Sequence, residues 1–316
     1  MSNVLVKGEQ LKIENGTRVY VAGCGGMLGD AMYARLKKVG ANIKATDINC
    51  IEDWLEYGDV RDLAAIRKSI VDFAPELIIN LAALTDLEFC EKEQENSWLT
   101  NGLGAENLGL VANELDVPYV YISTAGIFGG ERDLYNDFHA PNPLSVYAQS
   151  KYYGEQYVRN SVKKHYVLRA GWMMGGGPGK DKKFINKIYK QICAGTKELF
   201  VVDDKLGTPT YTVDFAHGLC GIVESEQYGL YNQVCNGAAS RFVVAQEFVR
   251  LMGLADQVKV TVVPSDYFKE QYFAPRPASE KLVNLKLNQR GLNRMRDWHV
   301  CLEEYAEVFK MDYANR

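Results

Sequence analysis

The chain has 316 residues and a mass of 35.5 kDa, more than one ordinary domain and about right for two. It is 47% apolar and 24% charged, with 28 Gly and 9 Pro, which excludes a disordered, collagen-like or coiled-coil chain. A net charge of −4, a pI of about 5.7 and the lack of any dense Lys/Arg run argue against a nucleic-acid partner.

Residues 1–17 form an N-terminal extension that mixes Lys7, Glu9, Lys12 and Glu14 with single apolar residues. No apolar h-region is present there, and no apolar stretch approaches the length of a bilayer span. A cytoplasmic protein with no membrane partner is expected. The seven cysteines are odd in number, widely spaced and free of any C-x-x-C, and the four histidines are scattered. Neither a disulfide framework nor a bound metal is expected.

The first strong element is the β-branched run Arg18–Ala22, a buried strand. Gly23-Cys-Gly-Gly-Met-Leu-Gly29 follows at once, then helical spacing over 30–39, ended by Gly40. Residues 41–46 predict a second strand closing on Asp47. A helix over 63–73 is broken by Pro75, and 77–81 reads as another buried strand. Helix signals fill 97–115, a strand 119–123, a helix 145–160 and a strand 166–169. Strand and helix therefore alternate through about residue 170, the pattern of a parallel sheet covered on both faces. Beyond it, 175–179 reads as a loop, 184–194 as a helix and 200–202 as a short strand. The C-terminal third, with Pro264, Pro275 and Pro277, looks loop-rich.

The expected class is α/β: a Rossmann-type doubly wound parallel sheet with a smaller α+β C-terminal substrate domain. Residues 18–169 with about 206–236 would bind a dinucleotide. Residues of about 170–205 with 237–316 would bind substrate.

The glycine loop sits where strand meets helix. Gly23, Gly26 and Gly29 allow backbone to approach a pyrophosphate, and the helix N-terminus, through Met27 and Leu28, offers free N–H groups to an anion. Asp47, at the end of the second strand, can accept hydrogen bonds from ribose hydroxyls and would repel a 2′-phosphate. NAD(H) is therefore favoured, with NADP(H) possible. Asp59 and Val60 would lie against the adenine. Tyr147-x-x-x-Lys151 opens a helix with both side chains on one face. An ammonium beside the phenol is expected to lower the tyrosine pKa and fit it for proton transfer at a carbonyl or alcohol oxygen. The preceding strand ends in Ser123-Thr124, which brings a hydroxyl to the same oxygen.

With these residues in place, the chain resembles the extended short-chain dehydrogenase/reductases, and more narrowly the dTDP-4-dehydrorhamnose reductase family of sugar-nucleotide 4-keto reductases. Asn80-Leu-Ala-Ala-Leu-Thr85-Asp-Leu-Glu88-Phe-Cys-Glu91 is similar to that family's N-A-A-x-T-x-V-D-x-A-E. Tyr147-Ala-Gln-Ser-Lys151-Tyr-Tyr-Gly-Glu155 is similar to Y-G-x-x-K-x-x-G-E. Arg169-Ala-Gly-Trp172 is similar to R-T-S-W, and Gly207-Thr-Pro209-Thr-Tyr-Thr-Val-Asp214 to G-x-P-T-x-x-x-D. Arg276-Pro277 then precedes a leucine-rich segment and Trp298.

The resemblance implies Thr124, Tyr147 and Lys151 as the catalytic set, reducing a C4 keto group of a nucleotide-activated deoxy sugar with NAD(P)H. It implies that Leu81, Ala82 and Ala83 carry backbone over the cofactor. Thr85, Ser123, Thr124 and Trp172 would face the sugar, Arg276 the diphosphate, and the chain would form a homodimer. One departure stands out: the family's S-T-D-Y-V-F is Ser123-Thr124-Ala125-Gly126-Ile127-Phe128 here, so a carboxylate and a phenol are missing beside the active site. A sugar-nucleotide 4-dehydrogenase, epimerase or dehydratase on the same scaffold is an alternative, as is a non-catalytic NADP(H)-binding regulatory subunit. Smaller features read blandly: Cys24 as a packed loop residue, Lys180-Asp-Lys-Lys183 as a solvated run, His139 as a surface side chain, and Asp214 as a first-turn charge.

Overall fold

The computed structural model describes residues 10–316. Thirteen strands occur among them: β1 (Arg18–Ala22), β2 (Asn42–Asp47), β3 (Leu55–Tyr57), β4 (Leu77–Asn80), β5 (Tyr119–Thr124), β6 (His165–Ala170), β7 (Trp172–Met174), β8 (Glu198–Val202), β9 (Leu206–Gly207), β10 (Pro209–Tyr211), β11 (Gly229–Asn232), β12 (Ala239–Ser240) and β13 (Lys259–Val263). Seven form one parallel sheet in the order β11-β6-β5-β4-β1-β2-β3. The chain leaves β1 toward β2 and β3, then crosses back to β4 on the other side. A crevice therefore opens between the C-terminal ends of β1 and β4, the place where such sheets bind ligands. The remaining strands pair in three small two-stranded sheets, β10-β7, β12-β9 and β13-β8.

Local sequence explains the main elements. All four residues of β4 are buried, as is all of β1 except its first residue, which suits strands covered on both faces. Asp62 caps the helix Leu63–Phe73 by accepting the Ala65 N–H at 3.0 Å. Ser145 does the same for Val146–Ser161, through the Ala148 N–H at 3.2 Å. The start of the Tyr147 helix is thus fixed by its own sequence.

The structure corrects several expectations. The helix expected over 97–115 is not uniform: Trp98–Leu103 is a wider π-helical stretch before the α-helix Gly104–Leu115. The wider turn lets Asn101 hold the backbone of Leu84, accepting from its N–H at 2.9 Å and donating to its carbonyl at 3.0 Å. The loop expected over 175–179 holds a short helix, Gly177–Lys180, entered through Gly176 at φ 77°. The C-terminal third is irregular around Pro264, Pro275 and Pro277, as expected, but it is not loop-rich throughout. It carries the helices Arg241–Leu251 and Trp298–Ala314, whose Phe248, Trp298, Leu302 and Phe309 join the same apolar core as β1 and β6.

Part of the N-terminal extension, residues 1–9, lies outside the described residues. Its remainder is docked on the fold. Leu11 N–H donates to Glu226 and Ile13 N–H to Glu224, both at 3.1 Å, and Ile13 is buried in the core.

Candidate active site

The glycine loop is packed against the strand across the crevice. Gly23 has φ 73°, and a Cβ there would lie 2.3 Å from the Ala82 backbone nitrogen. A Cβ on Gly29 would lie 2.1 Å from the Cys24 carbonyl oxygen. By contrast, a Cβ on Gly26 would meet nothing nearer than 3.9 Å, so that glycine faces open space. Gly26 gives no side-chain cap to the helix Met27–Lys38, and the amides of that first turn, Met27 and Leu28 among them, have no intrahelical acceptor. These amides and the helix dipole suit a pyrophosphate. Cys24 is fully buried and burial first, then the nearby Asp47, pushes its thiol up to about 12, so it behaves as a packed residue.

Asp47 ends β2 and binds the loop itself. It accepts the Gly25 N–H at 3.0 Å on Oδ2 and the Asn49 N–H at 2.9 Å on Oδ1. Asp59 is paired with Arg61 at 2.6 Å, and that hydrogen bond holds its carboxyl below the usual range. Val60 is buried in the core, where its Cγ2 would lie 2.6 Å from a Cβ on Gly104. Its carbonyl accepts the Asn107 side-chain amide at 2.8 Å, also inside the fold. Leu81, Ala82 and Ala83 follow β4 and are partly exposed along the crevice, fixed by Leu81 N–H to the Ala22 carbonyl at 2.8 Å and Ala82 N–H to the Asn80 side chain at 3.0 Å.

Thr124, Tyr147 and Lys151 come together on the far side of this crevice. Thr124 ends β5, and its hydroxyl accepts the Gly126 N–H at 3.1 Å and lies close enough to the Tyr147 phenol to lower its pKa. The expected lowering of the tyrosine pKa is not found. Burial pushes the Tyr147 phenol up to about 12, against the opposing hydrogen bond from Thr124. Lys151 does not offset this. Its ammonium is buried, lies 4.2 Å from the centre of the Tyr121 ring and makes no ion pair among the described residues. Burial pulls its pKa down to about 7, while the charge of Glu155 opposes that fall. Without a cofactor the pair is therefore a protonated phenol beside a lysine that loses its charge near neutrality.

Ser123 is placed otherwise than the resemblance implies. Strand alternation turns it to the inner face, where it is buried and donates to Glu155 at 2.7 Å. Glu155 is paired with Arg169 across the same face, Nε to Oε2 at 3.0 Å and Nη2 to Oε1 at 2.5 Å. Ser123 belongs to this buried network rather than to the cleft.

The remaining expected residues are each engaged with partners. Thr85 is exposed and its hydroxyl accepts from Lys183 Nζ at 2.9 Å. Lys183 thus leaves the solvated run, as do Lys180, bridged to Asp30 and Glu52, and Asp181, which accepts the Tyr305 phenol at 2.9 Å. Arg276 is engaged with Glu88, Nη1 to Oε1 at 2.7 Å and Nη2 to Oε2 at 2.9 Å. Asp214 pairs with Arg296 at 2.7 Å, and His139 accepts the Asn136 N–H at 3.1 Å. Trp172 lies flat against Gly207, where a Cβ would be 2.1 Å from its Cε2, and the Arg241 guanidinium stacks 3.6 Å from its ring centre. Its indole N–H donates to Glu280.

Arg241, Lys183 and Glu280 carry much of the charge here, and motif spacing did not single out Arg241 or Glu280. Arg241 opens a helix after Ser240, a place where a basic residue has no local reason to stand. That mismatch was the available signal. Glu280 had none.

No helix of the described residues is long and apolar enough to cross a membrane, and no cluster of metal-ligating side chains occurs among them.

Comparisons with known proteins agree with this fold. Residues 17–311 match the model of the RmlD substrate binding domain. A spore coat polysaccharide biosynthesis protein of Bacillus subtilis is 30% identical over 292 residues, covering 92% of this chain and 97% of its own. A dTDP-4-dehydrorhamnose reductase of Mycolicibacterium smegmatis is 31% identical, covering 91% and 84%. Among solved structures, a dTDP-4-dehydrorhamnose reductase from Clostridium acetobutylicum superposes with a TM-score of 0.84 at 29% identity, over 95% of this chain and all of that one. One from Bacillus anthracis, in complex with NADP, gives 0.82 at 27% identity over 92% and 98%.

Proposed function

Since the chain belongs to the family of the RmlD substrate binding domain, we propose that it is an NAD(P)H-dependent reductase of the C4 keto group of a nucleotide-activated deoxy sugar. The product would serve a surface polysaccharide or a related glycoconjugate, in keeping with the role named for the Bacillus subtilis relative. The observation that carries this reading is the assembly of Thr124, Tyr147 and Lys151 across the switch-point crevice from the glycine loop. The unit of residues 18–169 with about 206–236 holds the cofactor. Residues of about 170–205 with 237–316 hold the sugar nucleotide.

A bound reduced nicotinamide supplies a hydride to the carbonyl carbon. Tyr147 supplies the proton to the carbonyl oxygen, and a phenol held protonated by burial is ready to give it. Thr124 hydrogen-bonds the same oxygen and keeps the phenol aimed at it. Lys151, buried and without an ion-pair partner, donates to the ribose hydroxyls of the cofactor. Its charge stabilises the phenolate as the proton leaves. Gly26 and the first-turn amides hold the pyrophosphate. Asp47 takes the adenosine ribose, and residues 47–57 carry no Lys or Arg to receive a 2′-phosphate. This supports NAD(H), although the Bacillus anthracis relative carries NADP.

The test is loss of reduced-nicotinamide absorbance when the purified chain meets dTDP-4-keto-6-deoxyglucose and related nucleotide 4-keto sugars, with NADH and NADPH in parallel. Oxidation coupled to a 4-hydroxy product is expected. No oxidation with any of them refutes the reading.

A further inference from the structure

Glu280 brings a carboxylate to the catalytic pocket from the other side of the cleft. Its segment is pinned on several sides. The Glu280 N–H donates to the Leu206 carbonyl at 2.9 Å, the Tyr135 N–H donates to the Lys281 carbonyl at 2.8 Å, and the Ser279 hydroxyl donates to the Asp133 carbonyl at 2.7 Å. The Trp172 indole N–H donates to Oε1. Oε2 has no hydrogen-bond partner among the described residues.

Gly126 shows where Oε2 points. A methyl group built on Gly126 would lie 3.7 Å from Glu280 Oε2, 3.4 Å from Thr124 Oγ1 and 3.8 Å from Tyr147 Cε1. One point thus has the carboxylate, the hydroxyl and the phenol around it. A methyl would be tolerated there, but a longer side chain would run into the space between them. The chain has lost the carboxylate and the phenol that the family's pattern puts at Ala125 and Gly126. The same absence of side chains leaves room for Glu280.

We propose that Glu280 is a substrate-contacting, specificity-determining residue, whose Oε2 accepts a hydrogen bond from the sugar hydroxyl on the ring carbon next to the reacting carbonyl. This rests on the reductase reading above. The surroundings select the donor. The charges of Arg241 and Arg276 both act on Glu280 and favour its ionised form against burial, so positive charge already surrounds the site. An ammonium group on the sugar would be repelled there, while a neutral hydroxyl is a matched donor. Trp172 holds Oε1 and so orients Oε2, as a preorganised contact requires.

The experiment compares the wild-type chain with Glu280→Ala, Glu280→Gln and Gly126→Leu, using the nucleotide 4-keto sugar that the wild type turns over and its analogue lacking the vicinal hydroxyl. Glu280→Ala should raise KM at least tenfold while changing kcat less, with NADH affinity unaltered. Glu280→Gln, which keeps a carbonyl acceptor, should fall between. The analogue should be a poor substrate for the wild type and no poorer for Glu280→Ala, an outcome that a merely structural role would not give. Gly126→Leu, made without touching Glu280, should also raise KM, and Glu280→Ala added to it should cost little more. If KM is unchanged in Glu280→Ala, or if the analogue is discriminated equally by both proteins, the proposal falls while the reductase reading stands. Should Glu280→Ala fail to fold, an unaltered KM in Gly126→Leu overturns it instead. A wild type that reduces no nucleotide 4-keto sugar overturns both readings together.

Discussion

Glu155 and Arg169 meet inside the wall of the active site, the Arg169 Nε 3.0 Å from Glu155 Oε2, with both side chains buried and Ser123 bonded to the same carboxylate oxygen. This pair ties the helix of Tyr147 and Lys151 to the strands behind it. Arg169 Nη1 is itself buried without a partner, so the guanidinium depends on this one carboxylate. Replacing Glu155 by Gln should cost about 3–5 kcal/mol, the usual result of stripping one partner from a buried pair. Urea unfolding measures it. Because the Glu155 charge also raises the Lys151 pKa, the same variant should bind NADH more weakly at neutral pH. A loss below about 1 kcal/mol would mean that the pair is not buried as described.

Lys151 gives a pH dependence with a definite sign. Its folded-state pKa, near 7, lies below its ordinary 10.5. Between these values the unfolded chain holds the proton and the folded chain does not. Stability from this residue therefore rises with pH across that window and is lost as pH falls toward 7. Lys151→Met should make the cofactor-free protein more stable than wild type at pH 6.5 or so, with the gap narrowing above pH 7 and closing only near pH 10.5. Thermal melts of the two proteins across that range decide it, and a constant gap would contradict the assignment. NADH affinity of the wild type should fall as pH rises above about 7, where the ammonium is lost, and that slope should vanish in the variant.

Tyr147→Phe removes the proton donor and keeps the ring. kcat should fall by roughly 10²–10⁴-fold, the range for loss of a positioned acid, with NADH affinity unchanged. Steady-state rates beside a fluorescence titration of NADH separate the two. Residual activity near wild type would move the donor role elsewhere.

Cofactor choice should turn on Asp47. Asp47→Ala removes the ribose acceptor and the charge that repels a 2′-phosphate, so NADH should lose about tenfold or more in affinity while NADPH gains or holds. The variant should also loosen the loop, since the Gly25 N–H loses its partner. If NADPH suffers more than NADH, Asp47 does not face the ribose.

Gly207→Ala tests the packing of the substrate wall. The added methyl would lie 2.1 Å from Trp172 Cε2, a contact with a rigid ring wedged between Gly207 and Arg241. The indole has to move, and overpacking of this kind costs roughly 1–3 kcal/mol. A lower Tm, altered tryptophan fluorescence and a raised KM for the sugar nucleotide are expected together.

Much of the cofactor half was legible because its signals are local. Buried strands such as Leu77–Asn80 are short apolar runs, and Ser145 and Asp62 announce their helices by capping chemistry. The glycine loop could be read from its place between strand and helix, although only Gly29 answers to a backbone atom a few residues away, Cys24, while Gly23 answers to Ala82. The three residues of β3, Leu-Glu-Tyr, have too short a pattern to read, and two of them are exposed. The π-helical stretch at Trp98–Leu103 depends on Asn101 meeting Leu84, seventeen positions away. The protonation of Tyr147 went the other way from the expectation because spacing shows that a lysine is near and says nothing of how dry both groups are. Glu280 lay furthest out of reach: its meaning comes from Gly126 and Trp172, more than a hundred residues earlier in the chain.

The docking of residues 11–13 bears on how the protein can be cut. The family match begins at residue 17, yet Ile13 is packed in the core and the backbone beside it holds Glu224 and Glu226, over two hundred positions later. A version trimmed to the match would open a gap in the core and leave Glu224 and Glu226 without the hydrogen bonds that residues 10–13 donate. The segment therefore acts as a clasp, and the stretch that matches the family leaves out contacts that this chain makes.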